Sequence, residues 1–291
     1  MRYRPLGARG QVISAVSLIL EPDPSRRRPA DWVPLVYAAL ECGISGFEIR
    51  GLDKALGEGV GQALASVDRR MVFLALRLKT QPGRHASLEA VSGQIRAAVA
   101  ATGLEYLDAA LLDAPALEPG EALKQLGALK SAGIVRAFGV AGEGEGVDAL
   151  VAGGRLDIFA TEYSLLSGWG ERRRVRAAVA SDMAVLGYGC FPREALGQLV
   201  KPISRTRARP LAGIGGYNFL EHTRDWTSEE LCLAYALTEP SLASVQVQAR
   251  SIDHLGRLAA VPDRELPSVV AAQIEMARFS APGAADAVRT A

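Results

Sequence analysis

Residues 44–77 read ISGFEIRGLDKALGEGVGQALASVDRRMVFLALR, and the succession of patterns in that stretch decides the fold. A short apolar run, Ile44–Glu48, gives way to Lys54–Ser66, where apolar residues recur at helical spacing, and then to a second apolar run, Val72–Arg77. Strand, helix, strand is the unit of a parallel sheet, because strands that are apolar on both faces need helices as cover. The alternation continues outward in both directions. Strands are predicted at Val12–Leu18, Leu107–Asp113, Val135–Val140, Ile158–Tyr163, Ala184–Tyr188 and Ser244–Gln248, with helices at Asp31–Cys42, Leu88–Thr102, Pro119–Ala132, Val147–Gly153, Glu171–Ser181 and Ser228–Thr238. Eight such strands predict one closed (β/α)8 TIM barrel domain over residues 1–291. The doubly wound open sheet is the alternative, but its glycine-rich first turn is missing, since Leu18 runs into Ile19-Leu20-Glu21-Pro22.

Of the 291 residues, 49% are hydrophobic and 22% charged, enough apolar material for a large core. Thirty-three basic against 32 acidic side chains leave a net charge of +1, which offers no global field for nucleic acid or an anionic bilayer. The apolar run Val12–Leu20 is too short to cross a membrane, and Met1-Arg-Tyr-Arg-Pro5 lacks the apolar core of a signal peptide. A cytoplasmic protein without membrane insertion is expected. Three cysteines (42, 190, 232) and three histidines (85, 222, 254) are too scattered for a disulfide framework or a metal site.

Barrel sites lie at the C-terminal ends of strands, so the residues found there are the candidates for chemistry. They are Glu48, Arg50 and Asp53, then Arg77 and Lys79, Asp113, Glu162 and Tyr163, and Tyr188. Glu48 with Arg50, and Asp113 with Arg77, also read as simple ion pairs at the mouth. No Gly-x-Ser-x-Gly elbow and no cysteine–histidine pairing in sequence supports a hydrolase. The interval from Tyr188 to Ser244 is unusually long, which predicts a loop over the mouth at residues 189–227; an added C-terminal helix is expected at 266–279.

These strand ends resemble the aldo-keto reductases. The matching segments are the opening MRYRPLGARGQVISAVSL, GISGFE at 43–48, EGVGQAL at 58–64, YLDAALLDAP at 106–115, GIVRAFGV at 133–140, VLGYG at 185–189 and ARSIDHLGRLAA at 249–260. The resemblance implies an (α/β)8 barrel that binds a nicotinamide dinucleotide, NAD(H) or NADP(H) with NAD(H) favoured, across its mouth. It also implies a catalytic tetrad, and none of the four residues is retained: Glu48 stands for the aspartate, Asp53 for the proton-donating tyrosine, Arg77 for the lysine and Asp113 for the histidine. Asp53 would be an ionised acceptor where a donor is needed.

The cofactor half is better kept. By the same resemblance Tyr188, followed by Gly189, is the residue that stacks on the nicotinamide, Arg250 and Ser251 clamp the adenosine phosphates, Asp253 is the acidic adenosine contact, and Arg257 replaces an asparagine near the adenine. Glu48 belongs to this group as well as to the tetrad. Ala141-Gly142 and Ala160 replace residues that hold the carboxamide. A tetrad lost beside a clamp partly kept is similar to the degenerate, KidO-type regulators of cell division. That similarity implies a pseudoenzyme with protein partners, the division GTPase FtsZ and a histidine kinase; the alternative is an active NAD(P)H-dependent reductase with an atypical proton donor.

Overall fold

The computed structural model describes residues 1–7, 10–78, 88–113, 127–192 and 223–279. Among them are ten strands: β1 Tyr3–Pro5, β2 Val12–Ser14, β3 Val16–Leu20, β4 Gly46–Arg50, β5 Phe73–Leu78, β6 Leu107–Asp113, β7 Val135–Ala141, β8 Ile158–Glu162, β9 Ala184–Tyr188 and β10 Leu242–Val247. The last eight close into a barrel in the order β10-β3-β4-β5-β6-β7-β8-β9, every pair parallel. Closure excludes the open doubly wound sheet.

The predicted first strand Val12–Leu18 is two elements. β2 pairs antiparallel with β1 as a hairpin, and the chain bends at Ala15 before β3 enters the wall. Ser14 holds the bend: its backbone N–H donates to Ser45 Oγ at 3.0 Å, while its own Oγ accepts from the Ser45 N–H at 2.9 Å. Leu6 and Ile13 of the hairpin region join the apolar cluster inside the barrel and close its floor. A second correction concerns β4, which runs on to Arg50 instead of ending at Glu48.

Side chains alternate across a strand, so Phe73, Ala75 and Arg77 share one face of β5, as do Ala184, Leu186 and Tyr188 on β9. The inner cluster contains Phe73, Ala75, Ala184 and Leu186, with Tyr188 packed on it. The same parity puts Glu48, Arg50, Arg77 and Asp113 inside, at the C-terminal end of their strands. Alanines at 75, 109, 137, 141, 160 and 184 keep the inner core slim.

Outside, helices Pro29–Glu41, Lys54–Leu64 and Leu88–Thr102 cover the first strands. Close approach here depends on glycine: a Cβ on Gly61 would lie 1.9 Å from the Thr102 carbonyl oxygen, and one on Gly59 would lie 2.6 Å from Trp32 Cβ. The helix Ile252–Ala260 follows β10, and Ser268–Phe279 is the added C-terminal helix, starting two residues later than its sequence pattern. No described helix is long and apolar enough to cross a membrane. Lys79, residues 193–222 of the long segment after β9 and most of the helix expected at 119–132 lie outside the described residues.

Candidate functional site

Three of the four tetrad positions meet at the mouth. Glu48 is fully buried, and Arg77 is 8% exposed. Arg77 Nε lies 3.0 Å from Glu48 Oε1, and its Nη2 donates to Glu48 Oε2 at 3.3 Å. Arg50 pairs with the same carboxylate. Gln246 Nε2 donates to Glu48 Oε2 at 2.8 Å, and the Gln246 oxygen accepts from Arg50 at 3.4 Å. At the far side Arg77 Nη1 reaches Asp113 Oδ1 at 3.4 Å. Both ion pairs legible in the sequence therefore form, and they are links of one chain.

The register explains the convergence. β4 pairs with β5 from Gly46↔Phe73 to Arg50↔Arg77, which sets the two arginines side by side above Glu48. Burial acts to raise the Glu48 pKa, but Arg77, Arg50 and the Gln246 amide together hold it below the ordinary carboxylate range. At Asp113 the balance reverses. Burial raises its pKa by more than Arg77 lowers it, and the group stays half-open to solvent.

Asp53 is elsewhere. Its Oδ1 accepts from the Leu56 N–H at 2.7 Å, so it is the N-cap of helix Lys54–Leu64. In the sequence, an aspartate directly before Lys54-Ala-Leu carries that signal. Tyr163, counted among the mouth groups from its strand, belongs to the outer core: its hydroxyl lies 3.1 Å from Glu239 Oε2. Side chains alternate along β8, so Tyr163 shares the outward parity of Phe159, while Ile158 and Ala160 face inward.

Tyr188 reaches across the mouth from β9. The guanidinium carbons of Arg77 and Arg50 lie 4.7 and 4.8 Å from its ring centroid, within range of a cation–π contact. Burial raises the phenol pKa, and the charge of the neighbouring Arg77 opposes that without cancelling it. The hydroxyl is protonated at neutral pH.

A cleft of about 750 Å³ opens above these groups. Tyr188, Gly189, Arg250, Arg50 and Glu162 line it, with Gln246, Trp32 and Arg26, which sequence reasoning missed. Strand parity could have given Gln246, which lies level with Ser17 on β3; nothing local marks Trp32 or Arg26, because they reach the cleft from the first helix and its preceding loop. Gly189 has φ +66°, a turn that glycine adopts at no cost.

The other proposed clamp residues are dispersed. Ser251 Oγ caps helix Ile252–Ala260 by accepting from the His254 N–H at 3.1 Å, and Asp253 stands exposed in the first turn. Arg257, in the last turn, is drawn 3.8 Å from Glu230. His254 accepts from the Arg250 N–H at 3.2 Å and sits 3.3 Å from Glu229, a structural role. The Cys190 thiol also lines the cleft, but burial pushes its pKa up to about 12, which keeps it an unreactive thiol. Among the described residues no cluster of histidine, cysteine, aspartate and glutamate could hold a metal ion.

The Aldo/keto reductase family matches residues 33–278, most of this chain. The chain belongs to that family. Among solved structures the chain is similar to the holo form of aldo-keto reductase AKR11C1 from Bacillus halodurans, with 19% identity, a TM-score of 0.74 and 97% of each chain covered. It is also similar to an aldo-keto reductase from Klebsiella pneumoniae in complex with NADPH, with 20% identity, a TM-score of 0.75 and again 97% of each chain. At such identities the likeness carries the fold. No curated protein matches the chain in sequence.

Proposed function

We propose that this family member binds a nicotinamide dinucleotide, NAD(H) in preference to NADP(H), has lost carbonyl reduction, and acts as a regulatory protein through protein contacts. In that reading its partners are of the kind engaged by KidO-type regulators of cell division, FtsZ and a histidine kinase.

The observation that carries the reading is the ion-pair chain Arg50–Glu48–Arg77–Asp113, which fills three of the four tetrad positions. An oxygen gaining negative charge needs a donor aimed at it. Here Glu48 and Asp113 are acceptors, the guanidiniums are already engaged by carboxylates, and Asp53 is spent on a helix cap.

The cleft fits a dinucleotide in kind. Its volume is in the range of small-molecule sites, and among the described residues the Arg250 guanidinium has no acidic partner. Tyr188 presents a flat ring at the mouth. With Arg257 held toward Glu230, one arginine fewer is left for an adenosine 2′-phosphate, which favours NAD(H). A bound nicotinamide dinucleotide supplies hydride-transfer chemistry; a protein that uses it as a signal needs only the binding half.

A second reading, an active reductase with an atypical donor, is favoured by Tyr188. Burial keeps its phenol protonated at neutral pH, and the side chain lines the cleft beside the Arg77 guanidinium, where it can donate. Turnover separates the two. Across a panel of aldehydes the regulator shows no NAD(P)H oxidation above the uncatalysed rate, and capture of FtsZ or a histidine kinase from lysate changes with NADH. Rapid reduction that disappears in Tyr188→Phe overturns the regulator and establishes the second reading.

A further inference from the structure

Where the loop after β3 crosses toward helix Ile252–Ala260, the cleft is lined by more hydrogen-bond donors than the described residues satisfy. Trp32 is 1% exposed, lines the cleft, and its buried indole N–H has no hydrogen-bond partner among the described residues. A buried indole N–H usually finds an acceptor, because leaving it unpaired costs the full desolvation of the group. Beside it Arg26 lies over the indole, its guanidinium carbon 5.0 Å from the ring centroid. Arg26 is loosely held, 3.6 Å from Asp23 and 3.5 Å from the Arg250 carbonyl oxygen. The Arg250 side chain adds a second cation at the same place.

The carboxylates nearby face other donors, and none accepts from the indole. Glu21 accepts from Gln248 at 2.9 Å, Asp23 accepts from the Ser25 N–H and hydroxyl at 2.8 and 2.7 Å, and Glu229 faces His254 at 3.3 Å. Indole and guanidinium groups only donate. A compact group with several acceptor oxygens and negative charge matches the indole N–H and the two guanidiniums together, which is the chemistry of a phosphate.

We propose that Trp32 and Arg26, together with Arg250, form a phosphate-binding site in which the indole N–H and the Arg26 guanidinium bind phosphate oxygens. Neither Trp32 nor Arg26 belongs to the clamp that the family resemblance assigns. The source of the phosphate rests on the dinucleotide reading above; the site itself does not.

The test measures dissociation constants by calorimetry for NADH, NADPH, inorganic pyrophosphate and adenosine with the wild type, Trp32→Phe and Arg26→Gln. Losing one hydrogen bond to a charged group weakens binding by about tenfold or more. Both variants are expected to lose that factor for whichever phosphate ligands the wild type binds, with adenosine unaffected. Trp32 is a core residue, so Arg26→Gln, on a loop, decides the matter if Trp32→Phe does not fold. Unchanged affinities in the folded variants overturn the site and leave the dinucleotide reading intact. Pyrophosphate binding that depends on these residues, without binding of either dinucleotide, supports the site and overturns that reading. A wild type that binds none of the three phosphate ligands overturns both.

Discussion

At Glu48 a carboxylate with no exposure is surrounded by two guanidiniums and an amide, and Arg77 depends on it in return. Glu48→Gln leaves Arg77 buried without its main counter-ion, so an unfolding titration should show a loss of roughly 3–5 kcal/mol at neutral pH. The pH dependence follows from the direction of the shift. The folded pKa of Glu48 lies below the unfolded one, so its stabilisation is complete above the ordinary carboxylate range, about 4.3, and is lost as pH falls through the lower, folded value. The gap between wild type and variant should close in acid. Asp113 has the opposite sign: its folded pKa is raised, so its charge costs stability at neutral pH and that cost vanishes in acid. Asp113→Asn should therefore be as stable as the wild type or more so at pH 7, with no advantage near pH 3. A large loss in Asp113→Asn would mean that its contact with Arg77 outweighs its desolvation.

Helix Lys54–Leu64 shows how a family motif can be read as packing. Asp53 caps it, so Asp53→Asn, which keeps an acceptor, should leave the thermal midpoint unchanged, while Asp53→Ala should cost about 1 kcal/mol. Equal effects of the two substitutions would show that the charge matters more than the cap. Within the helix, Gly61→Ala brings a propensity gain of about 1 kcal/mol on intrinsic grounds. The Thr102 carbonyl 1.9 Å from the new Cβ reverses the sign, because backbone must move to admit it. A net destabilisation of roughly 1–3 kcal/mol is expected, read from chemical denaturation. A stabilised Gly61→Ala would refute the close approach of the helix to residue 102.

For the whole molecule the decisive property is ligand-linked stability. A ligand that binds only the folded state adds about 2.7 kcal/mol at a hundredfold excess over its dissociation constant. Thermal melts should rise with NADH, and Arg250→Ala should lose the response without a lower midpoint of its own, since its side chain holds no described acidic partner. Flat melts with millimolar NADH and NADPH would remove the cofactor from the account. If binding also changes partner capture, linkage requires that the partner change NADH affinity by the same factor, which can be measured in the reverse direction.

By itself the sequence determined the barrel. Its strands are apolar on both faces and its helices periodic, and those patterns are local properties of the chain. The mouth residues Glu48, Arg50, Arg77, Asp113 and Tyr188 could be named for the same reason, each standing at the end of its strand. The tertiary structure alone decided what they do to one another. Glu48 and Gln246 are 198 residues apart and meet only because the barrel closes β10 against β3, next to β4. Asp53 and Tyr163 stand beside mouth residues in the chain yet face elsewhere, because a helix cap holds the one and strand alternation points the other outward. Trp32 and Arg26 gave no signal, since an apolar helix position and a basic loop have no chemistry until folding sets them against Arg250. Periodicity is written along the chain, whereas a site is a set of distances across it, and closure of the sheet fixes those distances.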